Sequence, residues 1–369
     1  MIKQYYKQAL AQLRQHPLIS IIGIVGTALS IFLIMLVVMM QQVKVAPFSP
    51  ESNRNRFLHV HYMSISHKDW GNGTSNGPMS VQTAREVYKS LKTPEAVTVY
   101  CCMTVSTPVS LPGAPAIGAD VRETDDTFFH VFDFQFTDGK PYDEATFTAG
   151  RPVAVITESI SRALFGSIQS VGKEFLLSHA PYRVVGVVKD VSTLADMAYG
   201  QVWIPFTSTN LSNDTWSDNH MGMMSVTLLA HDREDFDEIR AEAKRRMNEY
   251  NSILADQGYT LIDRNRPYDQ ETQSISFAAN LEPDLKAARR ERVIIFIILL
   301  LVPAINLSSM TQSRLRQRVA EIGVRRAFGS TRIEMVGQIV MENLVITLLA
   351  GAIGLLISIL FAYWRTDIL

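Results

Sequence analysis

Leu18 to Met40 is a run of 23 residues without a charged side chain. About 20 apolar residues suffice to cross the hydrocarbon layer of a membrane as a helix, which satisfies its own backbone hydrogen bonds there. The alternative is a secretory signal peptide, whose apolar region would be roughly 7–15 residues long and would precede a cleavage site. This run is longer, and the following QQVKVAP offers no good site. We therefore predict an uncleaved membrane span over residues 18–40.

Two further runs, residues 293–310 and 339–364, are also long enough to span a membrane. The first contains IIFIILLLV, which has no polar face and so does not resemble a buried helix of a soluble domain. Pro303 is expected to kink it. Glu342 is the one charge within the second run. The predicted fold class is an α-helical membrane bundle with an α+β extracytoplasmic domain.

Charge is distributed unevenly although the formal net charge is only −1. Residues 1–40 hold three basic and no acidic residues, residues 311–369 hold seven Arg against four acidic residues, and the centre holds 25 basic and 32 acidic residues. Basic flanks mark the cytoplasmic side of membrane spans. We therefore place the amphipathic segment 1–17 and the loop 311–338 inside, and 41–292 and the tail 365–369 outside. The basic stretch Lys286–Arg292 conflicts with this assignment, because it lies at the end of the block that we place outside.

The outer block shows strand and helix patterns in an order that occurs twice. Each occurrence is a strand followed by a helix and a second strand, and the two occurrences lie on either side of residues 107–222. This arrangement predicts a split β-α-β subdomain with a mostly β inserted subdomain, and Asn72–Pro78 is expected to be a flexible loop. The predicted elements are Phe57–Met63, Ser80–Lys92 and Val97–Val105, then Met224–Ala230, Asp232–Leu254 and Tyr259–Asp263, and in the insert Val153–Thr157, Glu158–Phe165 closed by Gly166, and Tyr182–Val188.

Candidate metal and redox residues are sparse. Cys101 and Cys102 are the only cysteines, and adjacent cysteines have poor disulfide geometry, so we interpret them as small apolar strand residues. His59 and His61 alternate on one strand, but no third ligand follows at a recognisable spacing. We expect a solvated strand face rather than a metal site. No pattern of nucleophile and base indicates an enzyme.

The segment GSIQSVGKE resembles a phosphate-binding loop only superficially. Five residues rather than four separate Gly166 from Gly172, and Glu174 follows Lys173 where the motif requires Ser or Thr. A carboxylate at that position would repel phosphate. We therefore predict a turn, no ATP site and no cofactor in this chain. Because no basic domain is present, nucleic acid is also excluded as a partner, whereas the lipid bilayer is expected.

The loop 311–338 combines basic residues with apolar ones. QSRLRQRVAEIGVRRAF predicts a helix that stops at Gly329, and Thr331 with Glu334 matches the capping box that starts a second helix. Ile322 and Phe328 have nothing within the loop to bury them. Two interpretations stay open from the residues alone: an amphipathic helix that lies on lipid, or a helix that docks on a cytoplasmic partner.

The stretch EIGVRRAFGSTRIEMVGQIVMENL resembles the signature of FtsX-like, or MacB-like, ABC transporter permeases. Gln338 and Glu342 match the Gln-x-x-x-Glu pattern that opens the family's third helix. VAVITESISRALFGS, VGKEF and YRVVGVVKDV resemble its periplasmic core domain, and LRQHPLISIIGIVGTALSIFLI resembles its first helix. The resemblance covers most of the chain.

The resemblance implies a coupling helix that docks on a separate cytoplasmic ABC ATPase, which would bind ATP and Mg. It implies a permease subunit of the mechanotransmission type in a bacterial inner membrane, working with a second permease chain, a periplasmic adaptor and an outer-membrane channel in efflux or export. A non-transporting signalling module, sensing a peptide or activating a cell-wall hydrolase, and a lipoprotein-extracting permease are the alternatives. The expected docking contacts are Glu321, Ile322, Gly323, Arg325, Arg326, Phe328 and Gly329.

Small residues on two spans favour close packing of membrane helices. On the first span they are Gly23, Gly26, Thr27 and Ser30, which we expect to pack in a dimer. The family has a fourth membrane helix, for which this sequence shows no segment after Trp364. We therefore expect the small-residue face of the third span to lack a partner, and this face consists of Ala350, Gly351 and Gly354.

Overall fold

The computed structural model describes residues 17–317 and 319–364, apart from the side chains of residues 17–20, 212, 314, 317, 321, 325 and 342. The predicted segment 1–17 therefore lies outside the described residues except for Pro17, and so does the predicted tail 365–369. The chain divides into two compact units. One comprises residues 44–284, and the other comprises the described residues of 1–43 and 285–367.

Helix α1, Pro17–Val45, precedes the α+β unit. The strands of that unit are β1 Phe57–Val60, β2 Met63–His67, β3 Thr74–Gly77, β4 Ala96–Cys101, β5 Val105–Ser110, β6 Ile117–Thr124, β7 Phe136–Gly139, β8 Val153–Thr157, β9 Glu174–Leu177, β10 Ala180–Val188, β11 Val202–Pro205, β12 Met224–Leu229, β13 Tyr259–Ile262 and β14 Tyr268–Asp269. Its helices are α2 Val81–Thr83, continued by a π-helix at Ala84–Lys89, α3 Phe128–Val131, α4 Glu144–Thr148, α5 Glu158–Phe165, α6 Phe236–Leu254 and α7 Gln270–Gln273.

Six strands of the larger sheet close into a ring. The pairings run β6–β11–β8–β10–β9–β5 and return from β5 to β6, with β8–β10 and β6–β11 parallel. The closed ring encloses an apolar core that includes Val121, Ile156, Phe175, Val187 and Ile204. Strand β6 then continues the sheet to β4, β12, β1 and β14. The sequence segment predicted as a mostly β insert thus forms a small barrel that shares its sheet with the rest of the unit.

Three of the predicted strand and loop segments differ in the structure. The predicted strand Val97–Val105 ends at Cys101 as β4, and Val105 begins the separate strand β5. The predicted strand Phe57–Met63 is two strands, because the chain leaves the large sheet at His61 and enters a three-stranded sheet of order β13-β2-β3. The predicted flexible loop Asn72–Pro78 contains β3, which pairs with β2 from Thr74 to Gly77. Since β2 carries the buried Met63, β3 contributes mainly backbone hydrogen bonds, which its polar and glycine residues can supply.

One helix begins and ends as predicted, whereas the predicted helix Ser80–Lys92 is α2 followed by a π-helix that ends at Lys89, and the α-helical part of the predicted Asp232–Leu254 begins at Phe236. Helix α5 spans Glu158–Phe165 and ends at Gly166, whose φ of +69° is left-handed and whose N–H donates to the Arg162 carbonyl at 2.9 Å. Ser80 caps α2 by accepting from the Thr83 N–H at 3.1 Å. The predicted apolar stripe of α6 is buried, and it consists of Phe236, Ile239, Ala243, Met247 and Tyr250. The repeated strand-helix-strand segments supply one common core around that stripe.

The second unit is helical. It continues with α8 Leu285–Gln317, α9 Val319–Ala327 and α10 Arg332–Trp364. In the described chain, three helices are long and apolar enough to cross a membrane by length and composition: Ile21–Val45, Leu285–Ser313 and Arg332–Trp364, with hydropathies of 2.8, 2.5 and 2.7. Pro303 lies inside α8, and the basic stretch Lys286–Arg292 forms the first turns of that helix.

Candidate functional site

A short helix separates the two long helices of the C-terminal half. Helix α9 ends at Ala327, where the Phe328 N–H still donates to the Val324 carbonyl at 3.1 Å. Gly329 follows with a φ of +94°, a left-handed conformation that glycine adopts at little cost. The predicted helix stop at Gly329 is therefore confirmed.

The second long helix begins with the predicted capping box. The Thr331 Oγ1 accepts from the Glu334 N–H at 3.3 Å, and the Glu334 carboxylate accepts from the Thr331 N–H at 2.9 Å. These two bonds satisfy backbone donors that have no partner within the helix. Gly329 and Thr331 together end α9 and start α10 within three residues, so that α9 is not an extension of the last span.

Apolar side chains at the end of α9 and the start of α10 face solvent in this chain. Phe328 is 88% exposed and Ile333 is 84% exposed. Val324, four residues before Phe328 and thus on the same helix face, is 56% exposed. A Cβ placed on Gly323 would meet nothing within 4 Å. The chain therefore presents a bulky aromatic group, a neighbouring valine and an open glycine surface that its own described residues do not cover.

The seven predicted docking residues all lie on α9 or immediately after it. Gly323, Arg326, Phe328 and Gly329 are exposed, and Ile322 is half-buried. The backbones of Glu321 and Arg325 belong to α9, but their side chains lie outside the description. The predicted residues thus occupy one segment of about two and a half helical turns, residues 321–329, which we call the α9 surface.

The small residues of the first span pack within the chain. A Cβ on Gly23 would lie 1.9 Å from the Met310 Sδ of α8, and Gly26 faces Asn306 of the same helix. Thr27 is 1% exposed and Ser30 is 6% exposed, and the Ser30 hydroxyl donates to the Gly26 carbonyl at 2.9 Å. Gly23 and Gly26 therefore make contacts with α8 of the same chain, and their packing in a dimer stays a prediction.

The small-residue face of the third span also has a partner, so the expectation that it would be bare is wrong. A Cβ on Gly354 would lie 2.7 Å from the Ala28 carbonyl oxygen, and one on Gly351 would lie 3.8 Å from Ile31. Ala350 is fully buried. The first helix occupies this face because its own small residues allow the backbones of α1 and α10 to approach closely.

A polar contact joins α8 and α10 at the level where α8 approaches the α9 surface. The Thr311 hydroxyl donates its proton to the Leu307 carbonyl at 2.7 Å. The same hydroxyl oxygen lies 3.1 Å from the end of the Asn343 side chain. This contact holds together the two helices that flank α9.

The α+β unit holds no metal cluster among its described residues: no group of three or more His, Cys, Asp or Glu side chains there is placed to bind an ion. His59 is not on a solvated face, as the alternation had suggested, but is 1% exposed. Its ring nitrogens bond to Thr227 at 3.1 Å and to Gln270 at 2.8 Å. Burial lowers the pKa of His59 to about 4, although the Gln270 bond opposes that shift. His59 is therefore a neutral core residue.

Cys101 is buried at the end of β4, and both thiols are free.

A buried ion pair that the sequence analysis did not single out lies just after α1. The Arg54 Nε donates to the Glu51 carboxylate at 2.7 Å, and a second Arg54 nitrogen donates to the Ala46 carbonyl at 3.0 Å. Glu51 also accepts from the backbone N–H groups of Met197 and Ala198 at 2.9 and 3.0 Å. The opposite charges three residues apart were the available sequence signal. The pair fixes the first residues of the α+β unit to its interior.

Comparison with known proteins gives two family matches. A family model described as the MacB-like periplasmic core domain matches residues 18–246, and one described as the FtsX-like permease C-terminal matches residues 293–367. The first match covers more than half of the 369 residues. It includes α1 and most of the α+β unit, whereas the second includes α8, α9 and α10.

Curated relatives are similar over about two thirds of this chain. The uncharacterized ABC transporter permease YknZ of Bacillus subtilis is 22% identical over 244 residues, which are 64% of this chain and 55% of YknZ. The macrolide export ATP-binding/permease protein MacB of Escherichia coli K12 is 22% identical over 252 residues, which are 67% of this chain and 36% of MacB. The chain thus spans about half or less of the length of these relatives.

Solved structures with similarity to this chain include the periplasmic region of MacB from Actinobacillus actinomycetemcomitans. It aligns with a TM-score of 0.38 at 18% identity, over 56% of this chain and 90% of that structure. The extracellular domain of the transporter YknZ from Gram-positive bacteria aligns with a TM-score of 0.39 at 14% identity, over 55% of this chain and all of that structure.

Proposed function

The chain belongs to the FtsX-like permeases that carry a MacB-like periplasmic core domain, and we propose that it is the membrane permease subunit of an ABC transporter of the mechanotransmission type. In this proposal a separate cytoplasmic ATPase binds ATP and Mg and docks on the α9 surface. Its hydrolysis cycle moves the α+β unit on the other side of the membrane, and that motion drives efflux or export.

The exposure of Phe328 is the observation that carries the proposal. An aromatic side chain that is 88% exposed at a helix end contributes nothing to the stability of its own fold. Large aromatic side chains and Arg are common among the few residues that dominate the energy of a protein interface. Arg326 lies two residues away and is exposed. Gly323 leaves room on the same short helix for the partner's backbone to approach.

A membrane-surface helix is the competing interpretation of the same residues. Such a helix has one apolar face that enters the lipid and one basic face that contacts the headgroups. In α9, most apolar residues, Val324 and Phe328 among them, share one face, whereas Ile322 lies among the charged positions of the other face. An apolar side chain on the charged face is better buried by a protein partner than by a flat lipid surface.

The long helix α8 supports transmission of motion from the α9 surface. Its 33 residues form one continuous helix, which at 1.5 Å per residue is about 50 Å long. The hydrocarbon layer is only about 30 Å thick. Movement imposed near α9 would therefore be carried across the hydrocarbon layer by one helix, with Pro303 as its point of bending, and the Thr311–Asn343 contact links that helix to α10.

The further partners follow from family membership and belong to the proposal. Two permease chains are expected to face two ATPase subunits, as a homodimer or a heterodimer. In export across two membranes, a periplasmic adaptor and an outer-membrane channel would receive the cargo. The signalling module and the lipoprotein-extracting permease differ only in the protein that the α+β unit contacts, and they share the ATPase docking.

Site-directed photocrosslinking tests the docking. Benzoylphenylalanine is placed at position 328 of the full chain in its native membrane, and at position 277 as the matched control, since Phe277 is 84% exposed but lies in the α+β unit. We expect a crosslink from position 328 to a nucleotide-binding subunit and none from position 277. Crosslinks from position 328 to lipid alone would contradict the docking and support the membrane-surface helix.

A further inference from the structure

A depression of about 360 Å³ opens on the surface of the α+β unit beside β3. It is lined by Trp70, Gly73, Thr74, Ser75 and Ser217. We propose that this depression binds the pyranose rings of an oligosaccharide, stacked on the Trp70 indole. The site is separate from the α9 surface, and the proposal does not depend on docking of an ATPase.

Trp70 provides a flat surface that is fixed in place. Its ring centroid lies 5.8 Å from that of Tyr259 at an interplanar angle of 79°, and 5.6 Å from that of His67. These edge contacts hold the indole while 39% of the residue stays exposed. The face of an aromatic ring carries partial negative charge. The C–H groups on one side of a pyranose ring carry partial positive charge and form a flat patch of matching size.

Hydroxyl groups border the indole on the side of β3. The Ser75 hydroxyl accepts from the Trp216 Nε1–H at 3.0 Å, and the Thr74 hydroxyl accepts from the Asn76 amide at 2.9 Å. A hydroxyl that accepts one hydrogen bond still has its own proton to donate. Both groups are therefore oriented donors, as the equatorial hydroxyls of a stacked sugar ring require.

The opposite wall is held in an unusual backbone conformation. Ser217, Asp218 and Asn219 have consecutive positive φ angles of 51°, 52° and 66°. Non-glycine residues adopt this left-handed region at a cost, so three in succession indicate a turn that its surroundings hold. The turn is closed by reciprocal backbone bonds between Trp216 and Met221 of 3.0 and 3.2 Å. A wall fixed before binding lowers the entropic cost of holding a ligand.

The chemistry of the lining distinguishes a sugar from other ligands. None of the five lining residues is charged, which disfavours a phosphate or a carboxylate ligand. One indole among glycine, serine and threonine is too polar a lining for an apolar ligand. An extended peptide added to the edge of β3 is the remaining class of ligand. The partly exposed indole, with Thr74 and Ser75 lining the same depression, favours the pyranose ring over the peptide.

Glycan titration of the full chain tests the proposal. The protein is reconstituted in nanodiscs and freed of maltoside and glucoside detergents, whose headgroups would compete. Chitotetraose, cellotetraose and maltotetraose are titrated up to about 10 mM, a concentration that reveals even the weak affinity expected of a shallow site. We expect saturable binding of at least one of them, measured by calorimetry and by saturation-transfer nuclear magnetic resonance.

Three variants assign the binding to the depression. Trp70→Ala should weaken binding at least tenfold, and the isosteric Thr74→Val, which keeps the indole, should weaken it several-fold. Phe277→Ala is the matched control, because Phe277 is exposed but lines no part of the depression, and it should bind as the parent protein does. Should Trp70→Ala fail to fold, Thr74→Val decides alone. Three results would overturn the proposal. None of the three glycans binds, the decisive variant binds them as well as the parent does, or an extended peptide binds and no glycan does.

Discussion

Lowering the pH should destabilise the α+β unit through His59. This side chain is buried between β1, β12 and α7, and its ring bonds to Thr227 and Gln270. Burial depresses the pKa of His59 from 6.5 to about 4, and the positive charges of Arg54 and His61 act in the same direction, whereas Asp269 acts against them. The folded state therefore resists the protonation that the unfolded chain accepts.

The sign and size of the effect follow from those two pKa values. A group whose folded pKa is depressed contributes its full stability above the unfolded pKa of 6.5 and loses it as the pH falls towards 4. At 1.36 kcal/mol per pKa unit, the loss at about pH 5 is about 2 kcal/mol and at about pH 4 about 3 kcal/mol. This is a large fraction of the stability of an ordinary domain.

Hydrogen exchange measured by mass spectrometry can isolate this contribution. Peptides covering β1 and β12 are followed in the full chain between about pH 7 and pH 4, and rates are corrected for intrinsic exchange. We expect protection to fall by about 150-fold more in the parent protein than in His59→Gln, which keeps a hydrogen-bonding group but does not titrate. An equal pH dependence in both proteins would refute the assignment of the effect to His59.

Three further changes test the packing and electrostatics of the two units. Gly354→Leu should destabilise the helical unit by about 1–3 kcal/mol in thermal unfolding, because the new side chain meets a backbone carbonyl. Gly337→Leu is the control and should be neutral, since a Cβ there meets nothing within 4 Å. Equal effects of the two changes would contradict the packing. Burial raises the pKa of Glu123 to about 7, so the parent protein loses stability as the pH rises from 4.5 to 7. Glu123→Gln should therefore be more stable than the parent by about 3 kcal/mol at about pH 8 but not at about pH 4. A denaturant titration at both pH values checks this, and a gain that is the same at both would exclude the charge as its cause. Arg54→Leu should lower the free energy of unfolding by about 3–5 kcal/mol, because it leaves the Glu51 carboxylate buried without its cation. Changing both Arg54 and Glu51 to leucine should recover most of that loss. If chemical denaturation shows no recovery, packing rather than charge causes the destabilisation.

Elements with local signals were predictable from the sequence. Helix α5 has the same bounds in the sequence and the structure because Thr157 and Gly166 mark its two ends. The break between α9 and α10 was likewise predictable, since Gly329 and the capping box at Thr331 act within a few residues. Both cases depend on backbone groups that are satisfied locally, so that no distant contact can override them.

Elements that depend on distant partners were not predictable. The barrel closes through pairings of β5 with β9 and β6 with β11, which join strands far apart in the chain. The alternation around His59 suggested a solvated face, but Gln270 covers it from a segment more than 200 residues away. The third span appeared to lack a partner because one sequence does not show that the small residues of α1 match those of α10.

The docking role of the α9 surface stays a prediction, and its exposure could not be derived from the sequence. A family pattern identifies Phe328, but only the structure gives its 88% exposure and the absence of a covering side chain among the described residues. The sequence also gave no reason to inspect Trp70, because the depression forms between β3 and a turn near Ser217. Surfaces built from separate segments require the tertiary fold.

Co-purification of the full chain from its native membrane tests the docking most directly. The parent protein is compared with Phe328→Asp and with Phe277→Asp, which places the same charge at an equally exposed aromatic position of the other unit. We expect the parent and Phe277→Asp to retain a nucleotide-binding ATPase and Phe328→Asp to lose it. The reason is that a buried unpaired carboxylate at the centre of an interface weakens binding by several kcal/mol. An ATPase that accompanies all three proteins equally, or none of them, would contradict the assignment of α9 as the coupling helix.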